Sequence, residues 1–394
     1  MPIRLFFLGT ASAAVLLVGA SSLAPAPARS APTVLAAQPG MIRQVVQGDG
    51  YTAWTRCRGR RGPTDVWAAR GTKPPRRVAG LGRGGACEPQ RLVGIAGGRL
   101  IVDLPVRGGR ELVAVPLRGG TRRTIVASSV APGGLELVDA ASGGRRVAWI
   151  QVVGAPADRV AQVVALDLRR DAPAVVHERA LSSGAIELTG VWISPSGRVA
   201  FRERLRGAQY GYGAGADRVR LRSAGGVLRE LVRTSGPVRV AGAALSNRWF
   251  TYSLTREGDR RVWITARDLA RGTKRRLRVA RAAPPRLALA PPAGPAPELS
   301  GGLGVWRERL RKGGRFTDSI RSSRALRTDR RVVERRIDVR GQRLFQSAPV
   351  VSRGVATWAI IEFRRATGWR GGYAGLSRVP ARSTVVRERI PGRG

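Results

Sequence analysis

Histidine is almost missing from this chain of 394 residues: His177, in "VVHERA", stands alone. A serine or cysteine nucleophile could use no other imidazole as its base, and a histidine-built metal site is excluded. The plain reading of His177 is a half-exposed strand histidine. Acids are scarce as well, 26 against 70 basic residues, for a formal charge of +44. They are scattered singly, as at Asp49, Asp103 and Asp139, without the clustered oxygen ligands of a calcium site. Lysine occurs only at Lys73, Lys274 and Lys312, so 70 − 3 = 67 of the basic residues are arginine. GC-rich codon usage accounts for arginine over lysine, but less well for the deficit of acids. Two cysteines, Cys57 and Cys87, permit one intramolecular connectivity. Beyond the N-terminal region no segment approaches the ~20 apolar residues of a membrane-spanning helix. Long amphipathic helices are missing too.

What is present begins with an export signal. Arg4 supplies the positive start, "LFFLGTASAAVLLVGASSLA" the apolar stretch, and "APAPARSA" several small-x-small cleavage options, of which Ala28 is chosen. With no cysteine near the cleavage region, a lipoprotein is excluded. The expected organisation is a signal peptide over 1–28, a short linker over 29–40 and one domain over 41–394. The mature protein is expected to be soluble and exported, residing in the periplasm, at the envelope or outside the cell.

That domain reads as a repeat. Turn residues precede apolar strands at Gly50 ("GYTAW"), Gly98 ("GRLIV"), Gly144 ("GRRVAW"), Gly197 ("GRVAF"), Asn247 ("NRWFTY"), Gly302 ("GLGVW") and Gly354 ("GVATW"), at intervals of 48, 46, 53, 50, 55 and 52 residues. Asparagine is the ordinary residue that best tolerates a left-handed turn, which fits the single departure from glycine. A second strand follows each turn region, as in "TDVWAAR" (64–70) and "RVWITARDL" (261–269). A short basic strand comes next, as in "PRRVA" (75–79), "KRRLRVA" (274–280) and "STVVRERI" (383–390). With the apolar stretch before each turn, this makes four strands per unit. One four-stranded sheet cannot bury both faces alone, whereas blades around an axis cover each other. The expected fold is all-β, a single β-propeller of four-stranded blades, with seven blades favoured over six or eight.

The stretch "SPSGRVAF" (194–201) resembles the Ser-Pro-Asp-Gly turn and strand of TolB-type, WD-repeat-like propellers, with Ser196 in place of the Asp. "VVALDL" and "RRLRVA" resemble the strands that follow it in those repeats. The resemblance covers about residues 41 to 394. It implies a repeat architecture, and binding of other proteins more readily than catalysis.

No catalytic, cofactor or metal motif emerges. "AGLGRGGAC" (79–87) lacks the Lys-Ser/Thr ending of a phosphate loop. A glycosidase needs a facing carboxylate pair, for which Asp49 and Glu203, near the ends of inner strands, are the weak candidates. Cys57 ends the second strand of its unit and Cys87 lies in the loop leaving the fourth. Both loops fall on one face, so a disulfide is expected, worth roughly 3 kcal/mol in the chain-entropy model.

The same loop rule puts "RCRGRRGP" (56–63), "LRGAQYGYGAGA" (205–216), "LRKGGR" (310–315) and "RRATGWRGGY" (364–373) on one face. Tyr210, Tyr212, Trp369 and Tyr373 supply flat surfaces, with Arg58, Arg60, Arg61, Arg365 and Arg370 around them, a composition favoured at binding hot spots. The charge surplus favours anionic partners by counterion release. An envelope protein or anionic polymer is the expected partner, with nonspecific nucleic-acid binding in vitro. The alternative is a hydrolase with carboxylates near the central channel.

Overall fold

A computed structural model describes residues 32–390, apart from 58–63, 79–80, 82–90, 130, 132, 182–185, 206–214, 257–260, 282–296, 313–314, 325, 327–329, 338–343, 348 and 366–377. Seven antiparallel sheets make seven blades of a β-propeller. Blades 1 to 6 run in chain order over 41–77, 91–127, 136–180, 186–233, 238–281 and 298–337, each with its strands in sequence order from the axis outward. Among the described residues no helix is long and apolar enough to cross a membrane.

Blade 7 differs. Its inner edge is two short pieces, Leu344–Gln346 and Val350–Ser352, followed by Val355–Arg365 and Arg378–Arg389. The outermost strand comes from the other end of the chain, Thr33–Pro39, which pairs antiparallel with Arg378–Arg389. Two expectations are thereby corrected. Within the expected linker 29–40, residues Thr33–Pro39 are a strand of the propeller. "STVVRERI" lies in the third strand of its blade, not the fourth. The physical reason is ring closure: pairing the N-terminal strand with Arg378–Arg389 joins the two ends of the chain in one sheet, so the first and last blades cannot part without breaking a strand ladder. Leu35 and Ala36 are buried in that seam.

The second strand of each blade carries the core. In Tyr51–Cys57 all seven residues are buried. Trp54, Trp306 and Trp358 are fully enclosed, as are Phe201 and Phe250. A strand of this kind packs against a blade on either side, so both faces are apolar and alternation fades. The core is a set of slabs between successive blades. One slab joins Ala53, Val66 and Leu100 across blades 1 and 2, and another joins Val305, Trp358 and Val386 across blades 6 and 7.

The repeat is also legible in its polar bonds. The turns between first and second strands form a belt around one face. Gly98 N–H donates to Asp49 Oδ2 at 2.8 Å, Gly97 N–H to the Gly144 carbonyl at 2.9 Å, and Ser196 N–H to Asn247 Oδ1 at 2.9 Å. Ser246 Oγ donates to the Gly301 carbonyl at 3.2 Å and Arg353 N–H to Ser300 Oγ at 3.1 Å. Gly144 shows why glycine recurs: φ is +60° there, and a Cβ would lie 3.0 Å from Pro195 of the next blade. Asn247 does not follow this rule. Its φ is not positive, and its amide oxygen instead binds the neighbouring turn.

Two aspartates at the ends of third strands also gain a role. Asp167 Oδ1 accepts from Arg169 N–H at 3.1 Å, and Asp268 Oδ1 from Ala270 and Arg271 N–H at 2.9 and 3.2 Å. Each carboxylate's other oxygen meets an arginine of the preceding turn, Arg145 or Arg248. The Asp thus caps the turn between third and fourth strands and ties it to the turn beside it.

Candidate functional site

The residues singled out from the sequence fall mostly outside the described residues: Arg58, Arg60, Arg61, Tyr210, Tyr212, Trp369, Arg370 and Tyr373 all do. Arg365 ends the second strand of blade 7, Val355–Arg365. The described strand ends that flank these loops, Cys57 and Thr64, Leu205 and Ala216, and Arg365 and Arg378, lie at the opposite end of their blades from the belt of turns. Cys57 ends the second strand of blade 1, is buried, and enters that same loop. Cys87 lies outside the described residues.

Two buried carboxylates sit at equivalent places in blades 4 and 6. "FRERL" (201–205) and "WRERL" (306–310) align, bringing Glu203 and Glu308 to matched positions two residues after the core aromatic. Glu203 is fully buried. Its Oε1 lies 3.7 Å from His177 Nε2, 3.5 Å from Arg179 and 3.5 Å from Arg220, while Arg218 Nε is 2.7 Å from Oε2. His177 and Arg179 come from the outer strand of blade 3 (Pro173–Ala180), Arg218 and Arg220 from the third strand of blade 4 (Ala216–Arg222). Burial by itself would raise the Glu203 carboxyl, but the adjacent His177 and the nearby arginines outweigh it and hold it at about 2. The ring of His177 stacks on Phe201 with centroids 4.5 Å apart.

Glu308 repeats the arrangement. Arg278, from the outer strand of blade 5, donates to both its oxygens at 3.1 Å, and Arg321 pairs with it from blade 6. These carboxylates fasten one blade to the next. Glu203 therefore stands in a second strand facing blade 3, not at the end of an inner strand by the channel, and it forms no pair with Asp49. His177 is more enclosed than expected, with its side chain 14% exposed.

The axis holds a cavity of about 510 Å³ lined by the inner strands of all seven blades. The acids lining it are Asp49 and Glu298. Asp49 is held by the Gly98 amide, but Glu298 has no ion-pair partner among the described residues. Register explains its setting. Glu298 faces Val305, the residue before Trp306, and the matching positions in blades 1, 3, 4, 5 and 7 are Val46, Ala141, Trp192, Ala244 and Val350. A carboxyl thus occupies a slot that five other blades fill with apolar side chains and that blade 2 leaves to Gly94. Burial pushes it up to about 7. Sequence reading missed Glu298 because it ends a Pro-rich stretch. It also missed the Glu203–Glu308 pair, whose signal was the shared "RERL" inside apolar strands. Among the described residues no group of three or more His, Cys, Asp or Glu side chains could hold a metal ion.

No protein-family model matches the chain, and no curated protein sequence does. Solved structures do. A prolyl endopeptidase described for inter-domain dynamics in catalysis and specificity has a TM-score of 0.54 at 11% identity, covering 91% of this chain and 51% of that one. The β-propeller domain of the Trilobed protease from Pyrococcus furiosus has a TM-score of 0.53 at 7% identity, covering 91% and 97%. That domain is described as having an open velcro topology, whereas here the first strand pairs with the last. TolB from Acinetobacter baumannii has a TM-score of 0.42 at 15% identity, covering 71% and 63%. The chain thus spans about half the length of the endopeptidase and under two thirds of that TolB. At these identities the likeness shows the propeller fold alone.

Proposed function

We propose that this chain is an exported, non-catalytic propeller scaffold that binds an envelope protein or anionic polymer. The face used is the one formed by the loops between second and third strands. The observation that carries this reading is how the charges are distributed. Described acids such as Asp65, Asp103, Asp139, Glu203, Asp217 and Glu308 are engaged by arginines inside blades or at their seams. Even if every one of the 26 acids took one base, 70 − 26 = 44 would remain without an acid. That surplus is free to meet an external polyanion, and the Tyr and Trp residues of the shared loop face would give the contact shape. The test is co-sedimentation of the purified protein with isolated envelope material, beside a variant carrying Tyr210→Ala, Tyr212→Ala and Trp369→Ala. Retention by the parent and loss by the variant is expected; equal retention would remove the aromatic face from the reading.

A hydrolase is the second reading, favoured by one observation. Glu298, protonated up to about pH 7 in the axial cavity, has the character of a general acid. It lacks a second free carboxylate among the described channel residues, since Asp49 is bonded to the next turn. Binding is therefore preferred over catalysis.

A further inference from the structure

At the seam between blades 5 and 6, Trp249, Ala266 and Leu326 form a buried apolar cluster. On the belt face this seam opens into a groove of about 440 Å³. Gly301 and Gly302, from the turn of blade 6, form one wall of it, and a Cβ on Gly301 would meet nothing within 4 Å.

Three arginines line this groove: Arg248 from the first turn of blade 5, and Arg271 and Arg275 from its last turn and outer strand. The one acid lining it, Asp268, is saturated. It accepts two hydrogen bonds from Arg248, at 3.1 and 2.9 Å, and two from backbone amides. Arg248 also lies 5.3 Å over the Trp249 ring, which fixes its plane. Arg271 and Arg275 make no ion pair among the described residues, and Arg271 is exposed. The groove therefore carries three cations against one engaged anion, a net charge of +2.

We propose that this groove binds the phosphate monoester of a small soluble molecule, with Arg271 and Arg275 as its ligands and Arg248 as a positioned third. A phosphate monoester carries about −1.5 to −2 at pH 7, which matches the net charge of the groove. Its three terminal oxygens suit donors arriving from separate turns. The site is on the face opposite the proposed partner-binding loops, and it stands or falls independently of them.

The experiment is calorimetric titration of the full chain, at fixed ionic strength, with inorganic phosphate, glycerol 3-phosphate and glucuronate. The test variant is R271A/R275A. The control is R169A/R170A, which removes the same charge from two exposed arginines at the matching turn of blade 3, where Asp167 caps as Asp268 does. Expected is saturable one-to-one binding of both phosphates, at least tenfold weaker in the test variant and unchanged in the control. Equal weakening in both variants, or no saturation, would reduce the effect to the bulk positive field and overturn the site. Glucuronate binding more tightly than phosphate with the same variant dependence would overturn the phosphate assignment.

Discussion

Glu298→Gln is the perturbation that isolates the carboxyl in the axial slot. The folded protein holds this group protonated up to about pH 7, against 4.5 for an ordinary glutamate. A raised carboxyl means that the unfolded chain releases the proton first. The fold is thus unpenalised below about pH 4.5, loses stability as pH rises from there towards 7, and carries the full cost above. At ~1.4 kcal/mol per pH unit the full cost is ~3 kcal/mol, and at pH 5 it is only ~1 kcal/mol. Glutamine keeps the shape and never ionises. Urea unfolding followed by tryptophan fluorescence, at pH 5 and pH 8.5 on both proteins, measures the difference, because every other titrating group is common to the pair. The variant should exceed the parent by ~1 kcal/mol at pH 5 and by ~3 kcal/mol at pH 8.5. A gain of equal size at both pH values, or none at pH 8.5, would refute the argument.

Three other outcomes are expected. Leu35→Asp puts a charge into the seam that closes the ring, and loss of the buried leucine alone is worth ~2 kcal/mol; a thermal melt should fall by several degrees, and an unchanged melt would deny the N-terminal strand its closing role. Glu203→Ala strands Arg179, Arg218 and Arg220 around an emptied buried position, for a cost of about 3–5 kcal/mol by chemical denaturation, with Glu308→Ala similar; a loss below 1 kcal/mol in either would mean the cluster is solvated and does not hold the blades. Pairing of Cys57 with Cys87 predicts an intact mass lighter by about two hydrogens before reduction, while two thiols that alkylate without reductant would contradict it.

Much of the architecture was legible because a hairpin turn makes a strong local demand. Glycines recurring at 46 to 55 residues marked the blades, and five of the seven marked positions, Gly50, Gly98, Gly144, Gly197 and Gly354, hold positive φ. Ring closure was not legible. "TVLAAQP" carries no mark of a partner more than 340 residues away, and its small residues read as a linker. Asn247 was placed correctly for a different reason, since its side chain bonds the next turn where a handedness preference was expected. The candidate site divided similarly. The hairpin pattern set Tyr210 and Trp369 between second and third strands, but the groove at Arg271 and Arg275 is built from turns of different blades, which no pattern of residues announces. Glu298 became visible only when register set it beside Val46, Ala141 and Val350.

The most direct test of partner binding is a salt series on the purified protein against isolated envelope material and, in parallel, duplex DNA. A charge field alone weakens for both ligands along the same slope in the logarithm of salt concentration. The account predicts that envelope binding outlasts DNA binding at high salt and that changing Tyr210, Tyr212 and Trp369 to Ala abolishes the difference. Parallel loss of both ligands, with the variant indistinguishable from the parent, would contradict it.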